Sequence, residues 1–268
     1  MANGQKHQFE VQTVTIDDLL EVLALGLRDF KTAPAYGLFF GAIYTVGGWL
    51  LILMLIEFDL PFLVYPLAAG FALIAPFIAS GFYAVSSRLE KSEPLSWRVV
   101  FRTVRSMFDR DLGWMALVTG FSLFIWMDIA ALLSFGFIGS QVFNLDRLFD
   151  IVFTTPAGWA FLIVGHTVGA IIAFGVFSYS VISIPILFDR DIDFVTAMIT
   201  SVRFVKQNPR VMAIWCLIIA TLTAISLLSG LVGLLVTLPL LGHATWHLYR
   251  RAISPAQNSP GDIESPAS

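Results

Sequence analysis

The stretch "VMAIWCLIIATLTAISLLSGLVGLLVTLPLLGHATWHLYRR" (Val211–Arg251) decides the fold. Two apolar runs flank a short break at Ser229–Gly233, and the second run closes on two histidines and two arginines. About 20 apolar residues cross a bilayer as a helix. The stretch therefore reads as a transmembrane hairpin whose tight turn is "SGLVG" and whose end meets a membrane surface. His243 and His247 stand one helical turn apart and share a face.

The rest of the chain follows the same pattern. Hydrophobic residues make up 57% of the 268 and charged residues 13%, against about 45–50% and 25% in soluble domains. No single water-soluble core hides that much apolar surface, so lipid is the expected solvent. Six spans are read, at about 36–56, 62–86, 112–136, 157–184, 211–229 and 231–250. The net charge of −3 gives no global basic excess, so nucleic acid is not an expected partner. Cys216 is the single cysteine, which excludes an intramolecular disulfide and a cysteine-based metal cluster. The polar start "MANGQKHQFEVQTVTIDD" is not read as a signal peptide.

The cations orient the spans. With both termini and the second-to-third and fourth-to-fifth connections on one side, that side holds fifteen of the 16 Lys and Arg residues. The other side holds Arg147 with Glu57, Asp59, Asp146 and Asp150. The positive-inside rule then places both termini in the cytoplasm. Residues 1–13 and the Pro- and Ser-rich 253–268 read as flexible cytoplasmic tails around one membrane domain, 14–252.

Three cytoplasmic segments carry helical amphipathic patterns. In the first, Leu19, Leu23, Leu27 and Phe30 oppose Asp17, Asp18, Glu21, Arg28 and Lys31, and Thr15 with Asp18 forms a capping signal. In the second, Trp97, Val100, Phe101, Val104 and Phe108 oppose Arg98, Arg102, Arg105 and Asp109. In the third, Phe194, Met198, Val202 and Val205 oppose Asp193, Arg203 and Lys206. Such helices are expected to lie in the interface plane. Gly26–Arg28, Thr103–Arg105 and Ser201–Arg203 align as "GLR", "TVR" and "SVR". Pro34 likewise superposes on Pro209, and Pro76, Tyr83 and Arg88 on Pro239, Trp246 and Arg251. The expected fold is thus all-α: six transmembrane helices as three hairpins, each preceded by an interfacial helix, in a threefold repeat at about 15–87, 94–184 and 191–251.

The runs "LGLRDFKTAPAYGLFFGAIYTVGGWLL" and "ISIPILFDRDIDFVTAMITSVRFVKQNP", with the ending "GHATWHLYRR", resemble an uncharacterised bacterial integral-membrane family over about 15–252. The resemblance implies a protein of the bacterial inner membrane, with no established activity. Members are sometimes labelled cytochrome c oxidase subunit I-like. The four histidines here, His7 among them in the polar tail, fall short of the ligand set that such a label implies.

Two pairs of residues are candidates for chemistry. His243 and His247 could bind a metal or haem, although no third ligand is apparent nearby. The alternative is anchoring, with Trp246 and Tyr249 in the aromatic belt and Arg250 and Arg251 at the headgroups. Asp128 and His166 interrupt two apolar runs at matching depth, and could pair inside the bundle or form a proton or ligand site. Gly165 with Gly169, and Gly37 with Gly41, read as close-packing patterns. The acids of "FDRDID" (Phe188–Asp193) read as a helix cap rather than a cation site. Arg98, Arg102, Arg105, Arg203 and Lys206 are expected to contact anionic lipid or an acidic partner.

No Walker loop, G-x-S-x-G, H-E-x-x-H or dinucleotide fingerprint occurs. The leading reading is a non-enzymatic inner-membrane scaffold, accessory or assembly factor, associated with lipid and with a membrane protein complex, and with no cofactor. The alternatives are a small transporter or channel using Asp128 and His166, and a haem- or metal-binding respiratory-chain protein.

Overall fold

The computed structural model describes residues 10–57, 64–107, 112–139 and 145–254. The chain is all-α apart from one pair of two-residue strands. Along the sequence run α1 (Ile16–Thr32), α2 (Pro34–Ile56), α3 (Val64–Glu90), α4 (Trp97–Ser106), α5 (Leu112–Ile138) and α6 (Leu145–Thr154). They are followed by α7 (Pro156–Ser180), α8 (Ser183–Asp189), α9 (Phe194–Gln207), α10 (Pro209–Leu228) and α11 (Leu234–Ala252).

Helix boundaries follow local chemistry. Thr15 and Asp18 form a reciprocal capping box on α1, and Asp193 caps α9 through Thr196 N at 2.9 Å. Both capping expectations are met. Pro34, Pro156 and Pro209 open α2, α7 and α10. At that position the missing N–H costs nothing and the fixed φ suits a helix. Each proline therefore divides a short helix from a long one.

Four described helical stretches are long and apolar enough to cross a membrane: Pro34–Met54, Leu112–Ile138, Pro156–Asp189 and Pro209–Leu228. They correspond to the first, third, fourth and fifth expected spans. The second and sixth, α3 and α11, are not among them, so four of the six expected spans are matched by membrane-length apolar helices and the full six-span hairpin layout is not established. In α11 the reason lies in its second half, where polar His243, Thr245 and His247 precede Arg250 and Arg251.

Helix α11 is the centre of the fold. Among the described residues it packs most extensively along α1, and also against α2, α3, α8 and α10. Close approach explains the glycines. A Cβ on Gly26 would lie 2.7 Å from Ala244 N and 2.8 Å from Leu240 O, so α1 meets the α11 backbone directly. Gly37 and Gly41 similarly seat α2 against Pro239 and Leu235, which is the small-residue packing expected of them.

Trp246 and Tyr249, expected in an aromatic belt, are instead 1% exposed. Trp246 Nε1 donates to Glu90 Oε2 at 3.1 Å, and Tyr249 OH donates to Asp189 Oδ2 at 2.6 Å. Arg250 binds Glu90 at 3.1 Å, while Arg251 pairs with Asp18 and Glu21. The end of α11 is thus held by protein groups from α1, α3 and α8. Glu10–Val11 pairs antiparallel with Ile253–Ser254, both in segments read from sequence as tails. Val14 N donates to Asn208 Oδ1 at 2.8 Å, tying this ribbon to the end of α9.

Candidate functional site

The densest buried polar cluster joins α1, α3 and α11. The buried stripe of α1 is Leu19, Val22, Gly26 and Asp29, which places a carboxyl on the face that meets α11. Asp29 is 1% exposed and Ser86 and His243 are 0% exposed. His247 Nε2 lies 2.7 Å from Asp29 Oδ2, and Ser86 Oγ donates to the same oxygen at 2.9 Å. Arg28 reaches the other oxygen at 3.0 Å. Ser86 Oγ is also 2.8 Å from His243 Nδ1.

The proton positions follow from the donor inventory. A carboxylate only accepts, so His247 carries its proton on Nε2. Ser86 gives its single proton to Asp29, so His243 must donate from Nδ1. The result is a continuous chain, His243 to Ser86 to Asp29, with His247 as a second donor. Burial works against the charge on Asp29. The hydrogen bonds from His247 and Ser86, the electrostatic pull of His247 and the Arg28 contact overcome it, holding the carboxyl below its ordinary range.

The far nitrogen of His243, Nε2, is buried without a hydrogen-bond partner among the described residues. Phe82 meets the His243 ring edge to face at 5.5 Å. Gly242 makes room for that phenyl ring, which a Cβ there would approach to 2.3 Å.

The sequence placed His243 and His247 together and found no third group beside them. The fold supplies Asp29 and Ser86, both missed. Protein partners take up His243 Nδ1 and His247 Nε2. Among the described residues no three His, Cys, Asp or Glu side chains are arranged to hold a metal ion. Ser86 is sealed from solvent, so the serine–histidine contact presents no nucleophile to a substrate. What the cluster does chemically is clamp three helices through one shared carboxylate.

Asp128 and His166 are not joined. Both are exposed, and no hydrogen bond or ion pair connects them. His166 Nδ1 instead donates to Leu162 O, 2.7 Å away. The depth expected of the two residues matches, but their directions differ. His166 lines an open groove between α5 and α7 with Trp126, Ala130 and Ser134. Asp128 follows Trp126 by two residues, about 200° around the helix, and faces away.

Arg98, Arg102, Arg105, Arg203 and Lys206 are all exposed, with no hydrogen bond or ion pair among the described residues. Beside the first three, Trp97 and Phe101 stack at 5.6 Å and remain 38% and 43% exposed. Trp97 also packs on Tyr36 at 4.2 Å, which fixes α4 to the start of α2. Arg147, expected as the lone outer cation, has its side chain outside the described residues.

The long apolar helices define a class: a helical integral membrane protein. Residues 64–189, from the start of α3 to the end of α8, match a family model described as "Predicted integral membrane protein (DUF2189)", a domain of unknown function. The resemblance to an uncharacterised integral-membrane family is thereby borne out over that segment. No curated protein and no solved structure matches the chain.

Proposed function

We propose that the protein is a non-enzymatic scaffold or accessory factor of the bacterial inner membrane, with both termini cytoplasmic, that holds anionic lipid along its cytoplasmic helices. One observation carries this reading. The cations of α4 and α9 are exposed and have no hydrogen bond or ion pair among the described residues, whereas Arg250 and Arg251 are paired with the chain's own carboxylates. A basic stripe edged by exposed Trp97 and Phe101 suits the headgroup level, where aromatic rings and cations meet lipid. Each such charge adds about 1 kcal/mol of attraction to an anionic surface. The polar core supports the same reading, since Asp29, Ser86 and His243 are enclosed rather than set along an open path.

The test is native mass spectrometry of protein extracted in mild detergent from membranes containing phosphatidylglycerol and phosphatidylethanolamine. The wild type is expected to retain the anionic lipid preferentially. A triple Arg98→Gln, Arg102→Gln, Arg105→Gln variant is expected to lose that preference by at least tenfold. Equal retention of both lipids by the wild type would refute the proposal.

A further inference from the structure

We propose that the chain self-associates head to tail in the membrane plane, with α5 of one copy seated against α7 of the next and Asp128 hydrogen-bonded to His166 across the contact. This stands apart from the lipid contact of α4 and does not depend on it.

Asp128 sits near the middle of a membrane-length helix, exposed, with no hydrogen bond or ion pair among the described residues. Around it Phe121, Phe124, Ile125, Leu132 and Phe135 are exposed as well. A carboxyl at the centre of a spanning helix costs about 3 kcal/mol to insert, so such groups face protein or water rather than lipid. The partner must therefore come from outside this chain's own bundle.

The chain itself carries a group of the right chemistry at the right depth. Asp128 lies ten residues before the end of α5 at Ile138, and His166 ten residues after the start of α7 at Pro156. At 1.5 Å per residue both are about 15 Å from the same side of the bundle. Copies inserted in one orientation share that depth, so Asp128 of any copy is level with His166 of any other. His166 Nδ1 is committed to Leu162 O, which leaves Nε2 to the outside. One proton held between Nε2 and the carboxyl satisfies both groups.

Shape agrees with charge. The flank bearing His166 is a groove of about 500 Å³ that also exposes Gly165, Gly169 and Ala173. A Cβ at Gly165 would meet nothing within 4 Å, in contrast to Gly37, whose site is filled by Phe30 of α1 and Pro239 of α11, and Gly41, whose site is filled by α11. The opposite face of α5 is a ridge of phenylalanines around Asp128. Ridge and groove lie on different sides of one molecule, so the contact is heterologous and closes a ring or extends a row. A two-fold contact through α5 would instead set Asp128 against Asp128, two acids with no base between them.

The test uses full-length chains in a Cys216→Ser background, in native membranes under a mild oxidant. Chains carrying Leu132→Cys and chains carrying Leu162→Cys, one turn from Asp128 and His166 and keeping both, are expected to cross-link when co-expressed, and Leu132→Cys chains alone are not. A dimer from Leu132→Cys alone would overturn the arrangement, as would no cross-link in the mixed sample. Mass measurement in lipid nanodiscs supplies a second readout. The wild type is expected as an oligomer, Asp128→Ala as a monomer, and the exchanged pair Asp128→His with His166→Asp as an oligomer again. A monomeric wild type, or an Asp128→Ala variant that stays assembled, would refute the proposal.

Discussion

His247 Nε2 lies 2.7 Å from Asp29 Oδ2, across 218 positions of sequence, and this bond ties the first helix of the chain to the last. Ser86 shares the same oxygen at 2.9 Å, so three helices converge on one buried carboxylate. Around it a collar of pairs, Arg251 with Asp18 and Glu21 and Arg250 with Glu90, repeats the same α1–α11–α3 connection nearer the surface.

Removing the carboxylate should be the most damaging single change. Asp29→Ala leaves His247 Nε2–H and the Ser86 hydroxyl without an acceptor in a buried site. The expected loss is about 3–5 kcal/mol, the range for breaking a buried pair from one side. Asp29→Asn keeps one acceptor oxygen and should lose less. Thermal unfolding in mild detergent measures both, and an unchanged midpoint for Asp29→Ala would contradict the clamp.

Acid should loosen the same clamp. The Asp29 carboxyl is held below its ordinary value of 3.8, so folding favours its deprotonated form. The stabilisation from this group is complete above that value and is lost as pH falls through the lower folded value. Unfolding curves taken from pH 7 down to pH 3 should show a steeper decline for the wild type than for Asp29→Asn. Parallel curves would show that Asp29 does not titrate with folding.

The glycines give opposite expectations at two positions. Gly26→Ala forces a Cβ to within 2.7 Å of the Ala244 backbone nitrogen, which cannot move aside as a side chain would. A destabilisation of about 1–3 kcal/mol is expected. Gly175→Ala, in α7, meets open space and should be neutral or stabilising by up to about 1 kcal/mol. Denaturation midpoints of the two variants, measured side by side, decide the matter.

The proposed orientation makes a separate prediction. In whole cells of a Cys216→Ser strain, a cysteine at Glu57 should react with an impermeant maleimide, and one at Arg98 should react only after permeabilisation. The reverse pattern would place the basic helices outside and remove the basis for cytoplasmic lipid contact.

Much of the architecture was legible because it rests on local chemistry. The capping box at Thr15 and Asp18 and the cap at Asp193 are one-dimensional signals. The face of α1 was read less well. Periodicity gives Leu19, Leu23, Leu27 and Phe30 as its apolar stripe, whereas the buried set is Leu19, Val22, Gly26 and Asp29, and Leu27 is exposed. The missed signal was an acid in step with a glycine and two buried aliphatics. Polarity alone assigned Asp29 to no apolar face, because a single acid lowers the apparent hydrophobicity of the stripe that contains it.

Helicity, enough apolar surface for a membrane, and the capping residues that start α1 and α9 are all written locally, since each depends on neighbours within a turn or two. What the polar residues do was settled by helix packing. It drew His243 and His247 inward to Asp29 and Ser86, and turned Asp128 and His166 apart although their depths match. Depth along a helix is a count of residues. Direction around it, and the partner waiting there, depend on which helices pack together over 200 positions away, and spacing along one chain carries no record of that.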